Sequence, residues 1–171
     1  MLALVRSFHD LLLMRLPPQA FPASSALFLL TLAAFFVVAF LHHLVVGAGL
    51  PQALLRAIIS VANVCAGSAV ILYIAGRPVR WLQTVTALFG GTALLGVMLL
   101  PVVGAWMMGM QNILIMISLL LFSVWELVFF AHVYRNALDV GMGAGLAVAL
   151  IYLLSSMFLK EILVPLPGGA A

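Results

Sequence analysis

Of the chain's 171 residues, 67% are apolar and 6% charged, and the mean hydropathy is +1.34. A water-soluble domain carries about a quarter charged residues, so water is excluded as the main solvent and the bilayer takes its place. Seven Lys and Arg stand against four Asp and Glu, without the clustered basic face that nucleic acid requires; the imbalance reads as a topology signal.

Residues 1–22 form a first unit, closed by Pro17 and Pro18. On a helical projection Arg6, Ser7, His9 and Asp10 gather on one side, with Leu2, Val5, Leu12 and Leu16 mostly elsewhere. That pattern suits an amphipathic helix lying in the headgroup region; a frayed, partly helical tail is the alternative. Arg6, Asp10 and Arg15 interrupt the apolar run, so it does not read as a secretory signal.

Residues 23–164 hold five apolar segments: 24–46, 57–75, 81–103 with a bend expected at Pro101, 113–134 and 141–159. A helix needs about 20 residues to cross about 30 Å of hydrocarbon. The segments are continuously apolar and lack strict alternation, which points to helices and not to a barrel. The expected fold is therefore all-α: a polytopic bundle of five transmembrane helices preceded by an interfacial helix. Residues 165–171, with Pro165, Pro167, Gly168 and Gly169, read as a short flexible tail. No internal repeat indicates the inverted halves of a secondary transporter.

Basic residues set the orientation. With the N-terminus in the cytoplasm, that side holds Arg6, Arg15, Arg77, Arg80 and Arg135, and the other holds Arg56 and Lys160. Trp81 and Tyr134 are expected at the inner interface and Trp106 at the outer one, while Arg56 is expected to snorkel to headgroups. Asn63, Cys65 and Ser68, with Ala62, Ala66 and Gly67, suit close helix packing and interhelical hydrogen bonds. Gln83, Thr84, Thr86, Gly90, Gly91 and Gly96 give the third span a similar small-polar face, and Gly141, Gly145 and Ala149 repeat at four-residue spacing on the fifth. Cys65 is the only cysteine; no disulfide can form within the chain, and a buried, unreactive thiol is the expectation.

Two stretches, RPVRWLQTVTALFGGTALLG at 77–96 and FFAHVYRNALDVG at 129–141, together with length and layout, resemble the small bacterial members of the Yip1 family. The acidic-tyrosine-glycine-proline signature of the eukaryotic members is absent. The resemblance implies a non-enzymatic role in membrane organisation or trafficking.

Glu126 is the most informative single position. It is expected about eight residues from the cytoplasmic end of the fourth span, about 12 Å deep at 1.5 Å per residue. A carboxylate there is costly unless paired, hydrated or protonated. A protonated side chain bonded to a neighbouring helix, a proton relay or cation site, and a contact with a partner protein are the readings open to it. Further along the helix, His132, Arg135 and Asp139 recur on one face, and Arg135 and Asp139 at i, i+4 can pair if the helix continues. Arg77, Arg80 and Gln83 are further polar candidates. His42 and His43 lie near the outer end of the first span; interfacial polar residues are the expectation, with metal binding a weak one, since adjacent side chains point about 100° apart. At opposite ends from His132, they cannot share a haem iron with it.

No HExxH, nucleophile elbow, phosphate-binding loop or acidic metal cluster occurs, so no enzyme and no cofactor are expected. The leading expectation is an accessory or organising membrane protein, acting through lipid and helix contacts in a homo-oligomer or larger complex of a bacterial inner membrane. A small transporter or channel subunit using Glu126 is the alternative.

Overall fold

The structure, a computed structural model, describes residues 2–166; most of the expected tail lies outside the described residues. It holds α1 (Leu2–Leu12), a 3-10 turn at Pro18–Ala20, α2 (Ser25–Val45), α3 (Leu50–Ile74), a 3-10 turn at Pro78–Arg80, α4 (Trp81–Met107), α5 (Ile113–Leu138) and α6 (Met142–Leu163). Helices α2 to α6 are each long and apolar enough to cross a membrane. The chain is an all-helical membrane protein with five such helices.

The spans run longer than their apolar cores suggested. Helix α3 begins seven residues earlier than expected, because Gly49 and Pro51 start it where a turn was expected. Helix α4 continues through Pro101 to Met107, and α5 and α6 each gain four residues at their C-termini. Three helix ends share one stop signal. Gly47, Gly76 and Gly109 sit at φ of 90°, 70° and 84° after α2, α3 and α4. The amide after each bonds back to His43, Leu72 and Ala105, the Schellman arrangement that uses up terminal carbonyls. Asp139 takes the same left-handed role after α5, at φ 65°.

Helix α4 is the hub. It touches α1, α2, α3 and α5, while α6 closes the ring against α3 and α5. Its unbroken buried run from Thr84 to Gly91 explains why small residues recur there. A Cβ on Gly91 would lie 2.2 Å from the Phe129 ring, and one on Gly145 of α6 would lie 2.7 Å from the Ala131 carbonyl of α5. The expected polar contacts also form. Ser68 and Tyr134 share a hydrogen bond at 3.2 Å, Asn63 donates to the Tyr152 hydroxyl at 3.2 Å, and the Trp81 indole donates to the Cys65 carbonyl at 3.0 Å. Tyr134 is fully buried, so its expected place at the interface is corrected: its hydroxyl finds a partner inside the bundle. Cys65 is half-buried, less enclosed than expected.

Helix α1 is amphipathic as read, but its apolar side rests on protein. Phe8, Leu11 and Leu12 are buried, and Phe8 lies over Gly90 and stacks on Phe21 at 4.6 Å. Gly90 is nine residues into α4, about 14 Å from its start at 1.5 Å per residue. The Trp125 indole donates to the Leu12 carbonyl at 3.2 Å. Trp125 stands thirteen residues before the end of α5, about 20 Å along it. The His132 ring then meets the Leu16 carbonyl at 2.9 Å, six residues from the same end or about 9 Å. The segment therefore climbs as a helix to mid-bundle, turns at Met14 (φ 59°), and returns extended to Pro17. Extended chain covers about 3.3 Å per residue, enough for that return in four residues. It packs as a hairpin against α4 and α5.

Candidate intramembrane site

At the Arg80 end the polar residues interlock. Arg80 Nη1 donates to the carbonyls of Asn136 and Ala137 at 3.1 and 3.0 Å, satisfying groups that a helix C-terminus leaves unpaired. Arg77 and Arg80 both reach the Asp139 carboxylate, at 3.0 and 3.8 Å. Gln83 donates to the Phe21 carbonyl at 2.9 Å and Gln19 to that of Asn136 at 2.6 Å. His132 Nε2 donates to Leu16, and Asn136 donates to the His132 carbonyl at 2.7 Å. Arg77, Arg80, Gln83, His132 and Asp139 are thus brought together, by exact main-chain demands that no spacing reveals. The expected Arg135–Asp139 pair does not form. Helix α5 stops at Leu138, so Asp139 turns toward α4's N-terminus and Arg135 lies beside the Met142 sulfur at 3.8 Å.

The opposite end has its own lock, which the sequence placed in the headgroups. Arg56 is 4% exposed and donates from Nη1 to the Val164 carbonyl at 2.6 Å and from Nη2 to Glu161 at 2.5 Å. The reason is local: α6 ends there with a free carbonyl and a carboxylate, a better partner for a guanidinium than solvent or lipid. Arg56 does not snorkel outward.

Between the locks, in the half nearer Arg56, lies a cavity of about 360 Å³ lined by all five spanning helices. Helix α2 contributes Phe35, His42 and His43, α3 Ser60, α4 Thr92, α5 Glu126 and Phe130, and α6 Tyr152, Ser156 and Lys160. Two expectations are corrected. His43 is buried and His42 half-buried, and both line the cavity, so at that end of α2 they face the bundle and not the headgroups. Glu126 stands twelve residues from the end of α5, about 18 Å in, deeper than expected because α5 extends past Tyr134.

Glu126 and Lys160 make no hydrogen bond and no ion pair among the described residues. A carboxylate, an ammonium and two imidazoles therefore share one space with the hydroxyls of Ser60, Tyr152 and Ser156. Groups of these kinds can bind or pass protons and can hold small charged groups. Among the described residues no three His, Cys, Asp or Glu side chains are grouped to hold a metal. Lys160 is the member that sequence reasoning missed. It was assigned to the outer surface from its place near a span's end, and the only signal for its inward turn is that α6 runs four residues further.

Comparison of the chain with models of known protein families, with curated proteins and with solved structures gives no match.

Proposed function

We propose that this is a non-catalytic membrane protein of the transport type, a small carrier or channel subunit in which Glu126 takes up a proton or a small cationic group inside the bundle. One observation carries the reading: Glu126 and Lys160 line the same cavity without a hydrogen bond or ion pair. Ionisable groups at this depth are costly and usually mark ion or proton paths, and structural use would have paired them, as it paired Arg56. Lys160 balances the carboxylate's charge when the site is empty, and the neighbouring hydroxyls and imidazoles solvate an incoming charge.

The test is flux in reconstituted vesicles under a proton or cation gradient. Wild type should dissipate the gradient, and Glu126→Gln should abolish flux while leaving thermal unfolding in detergent unchanged, since an amide keeps the shape but cannot ionise. No wild-type flux, with Glu126→Ala alone destabilised, would return Glu126 to a structural role.

The second reading, an accessory or organising component, is favoured by a different observation: α1 carries charged residues on its outward side. Co-purification in mild detergent separates a subunit from a free-standing carrier. Kinship with the Yip1 family belongs to this second reading and rests on stretches 77–96 and 129–141, which supply the two sides of the Arg80-end lock. We place the protein in a bacterial inner membrane with the N-terminus in the cytoplasm. In support, Arg77, Arg80 and Arg135 lie at one end of the bundle, while Arg56 and Lys160 are drawn into the bundle and add little to the opposite count.

A further inference from the structure

The two charges in the cavity stand at neighbouring levels of the bundle. Helices α5 and α6 run antiparallel from their link at Asp139 to Gly141, and Tyr152 stacks on Phe130 at 5.4 Å, which sets their register. From that contact toward the Arg56 end, Glu126 lies one turn along α5 and Lys160 two turns along α6. Their backbones are therefore stepped by about 6 Å at 1.5 Å per residue. Ser156 stands on α6 at the level of Glu126, and both line the cavity. Glu161, the carboxylate next to Lys160 in the chain, is engaged by Arg56 and is not in the cavity wall. The cavity's volume of about 360 Å³ falls in the range that holds small organic molecules and exceeds what a proton or bare cation needs.

We propose that the cargo is a small zwitterion, an amino acid or a betaine, whose ammonium meets Glu126 and whose carboxylate meets Lys160. The proposal rests on the transport reading and narrows what is carried. Charge balance selects the class. A proton or bare cation on Glu126 neutralises the carboxylate and leaves the Lys160 ammonium in the same cavity without a counter-charge, an arrangement that is costly away from bulk water. An anion on Lys160 strands Glu126 in the same way. A molecule that carries both signs leaves neither stranded and makes two charge-assisted contacts where a single ion makes one. Phe35 and Phe130 in the wall supply apolar surface for its carbon skeleton. Arg56, by holding Glu161, keeps Lys160 free to serve the cavity.

The experiment measures binding to the purified full chain in detergent by isothermal titration calorimetry. The probes are L-alanine, L-leucine, γ-aminobutyrate and glycine betaine, each beside its amide, which keeps the positive charge and loses the negative one. At least one zwitterion should bind about tenfold tighter than its amide, because the amide meets Lys160 with no counter-charge. Lys160→Gln should weaken that zwitterion about tenfold while the amide binds as well as before or better, since the repelling ammonium is gone. A Lys160 of structural use alone would weaken both together. The comparison within wild type needs no variant, so the test stays decisive if Lys160→Gln fails to fold in a thermal melt. No binding by any zwitterion, or amides that bind as tightly as their parents, would overturn the proposal. Proton or cation flux from wild-type vesicles in that event upholds the transport reading on its own. Preferential zwitterion binding without flux or zwitterion uptake upholds the site and removes transport.

Discussion

The Trp125 indole N–H donates to the main-chain carbonyl of Leu12 at 3.2 Å, tying the tip of the N-terminal hairpin to the middle of α5. Backbone that leaves helical geometry at membrane depth is tolerated only where its polar groups are met inside the protein. Trp125 and His132 meet two of them, at Leu12 and Leu16. Trp125→Phe keeps the ring and deletes the donor. It should lower stability by about 1 kcal/mol and expose the hairpin tip. A single cysteine at Met14 in a Cys65→Ser background reports the second effect: its labelling rate by a water-soluble maleimide should rise when Trp125→Phe is added.

Arg56 gives the largest single-site effect expected. Its two charge-assisted bonds, to Val164 and Glu161, lie at a site where the guanidinium is 5% exposed. Arg56→Met should cost about 2–3 kcal/mol, since the Val164 carbonyl loses its charged donor. Glu161→Gln should cost under about 1 kcal/mol, because that carboxylate is half-exposed and screened. Denaturant unfolding in detergent micelles that ranked the two in reverse order would contradict the assignment of Arg56 as the closing residue.

Gly145 tests the α5–α6 seam. An added Cβ would lie 2.7 Å from the Ala131 carbonyl, a main-chain atom that cannot swing aside. Gly145→Ala should therefore destabilise by about 1–3 kcal/mol, although alanine is the better helix former. Gly143, with nothing within 4 Å of its Cβ position, is the control: Gly143→Ala should be neutral or slightly stabilising. Paired melting curves decide it.

Topology can be read with reporters active only outside the cytoplasm. Fusions after Gly47 and after Gly109 should be active, and fusions after Gly76 and after Val140 inactive. All four sites fall in links between the helices, so the fused domain does not interrupt a span. An active fusion after Gly76 would reverse the proposed orientation.

The number of spans and their order were legible in the sequence because hydropathy over about 20 residues is a local property fixed by bilayer thickness. The stop signals were legible too, in Gly47, Gly76 and Gly109. So were Asn63 and Ser68 as interhelical donors or acceptors, since a polar group in an apolar helix must find a partner. What escaped was direction. Arg56, Lys160, His42 and His43 all lie near span ends, and proximity to an end was read as contact with headgroups; only the packed bundle decides that they turn inward. Tyr134 escaped for the same reason, its burial being set by Ser68 on another helix.

The hairpin shows the division most clearly. The sequence indicated an amphipathic helix before Pro17 with Arg6, Ser7, His9 and Asp10 on one side, because periodicity of 3.6 residues needs no tertiary information; the structure limits it to Leu2–Leu12. Only the tertiary structure decided that its apolar side meets α4 and not lipid. That choice depends on the groove left over Gly90, where the absence of a side chain admits the Phe8 ring, and on Trp125 and His132 standing where two free carbonyls need donors. The charges at Glu126 and Lys160 divide in the same way. Their types are written in the chain, but their shared cavity exists only because five helices of unequal side-chain bulk close around it.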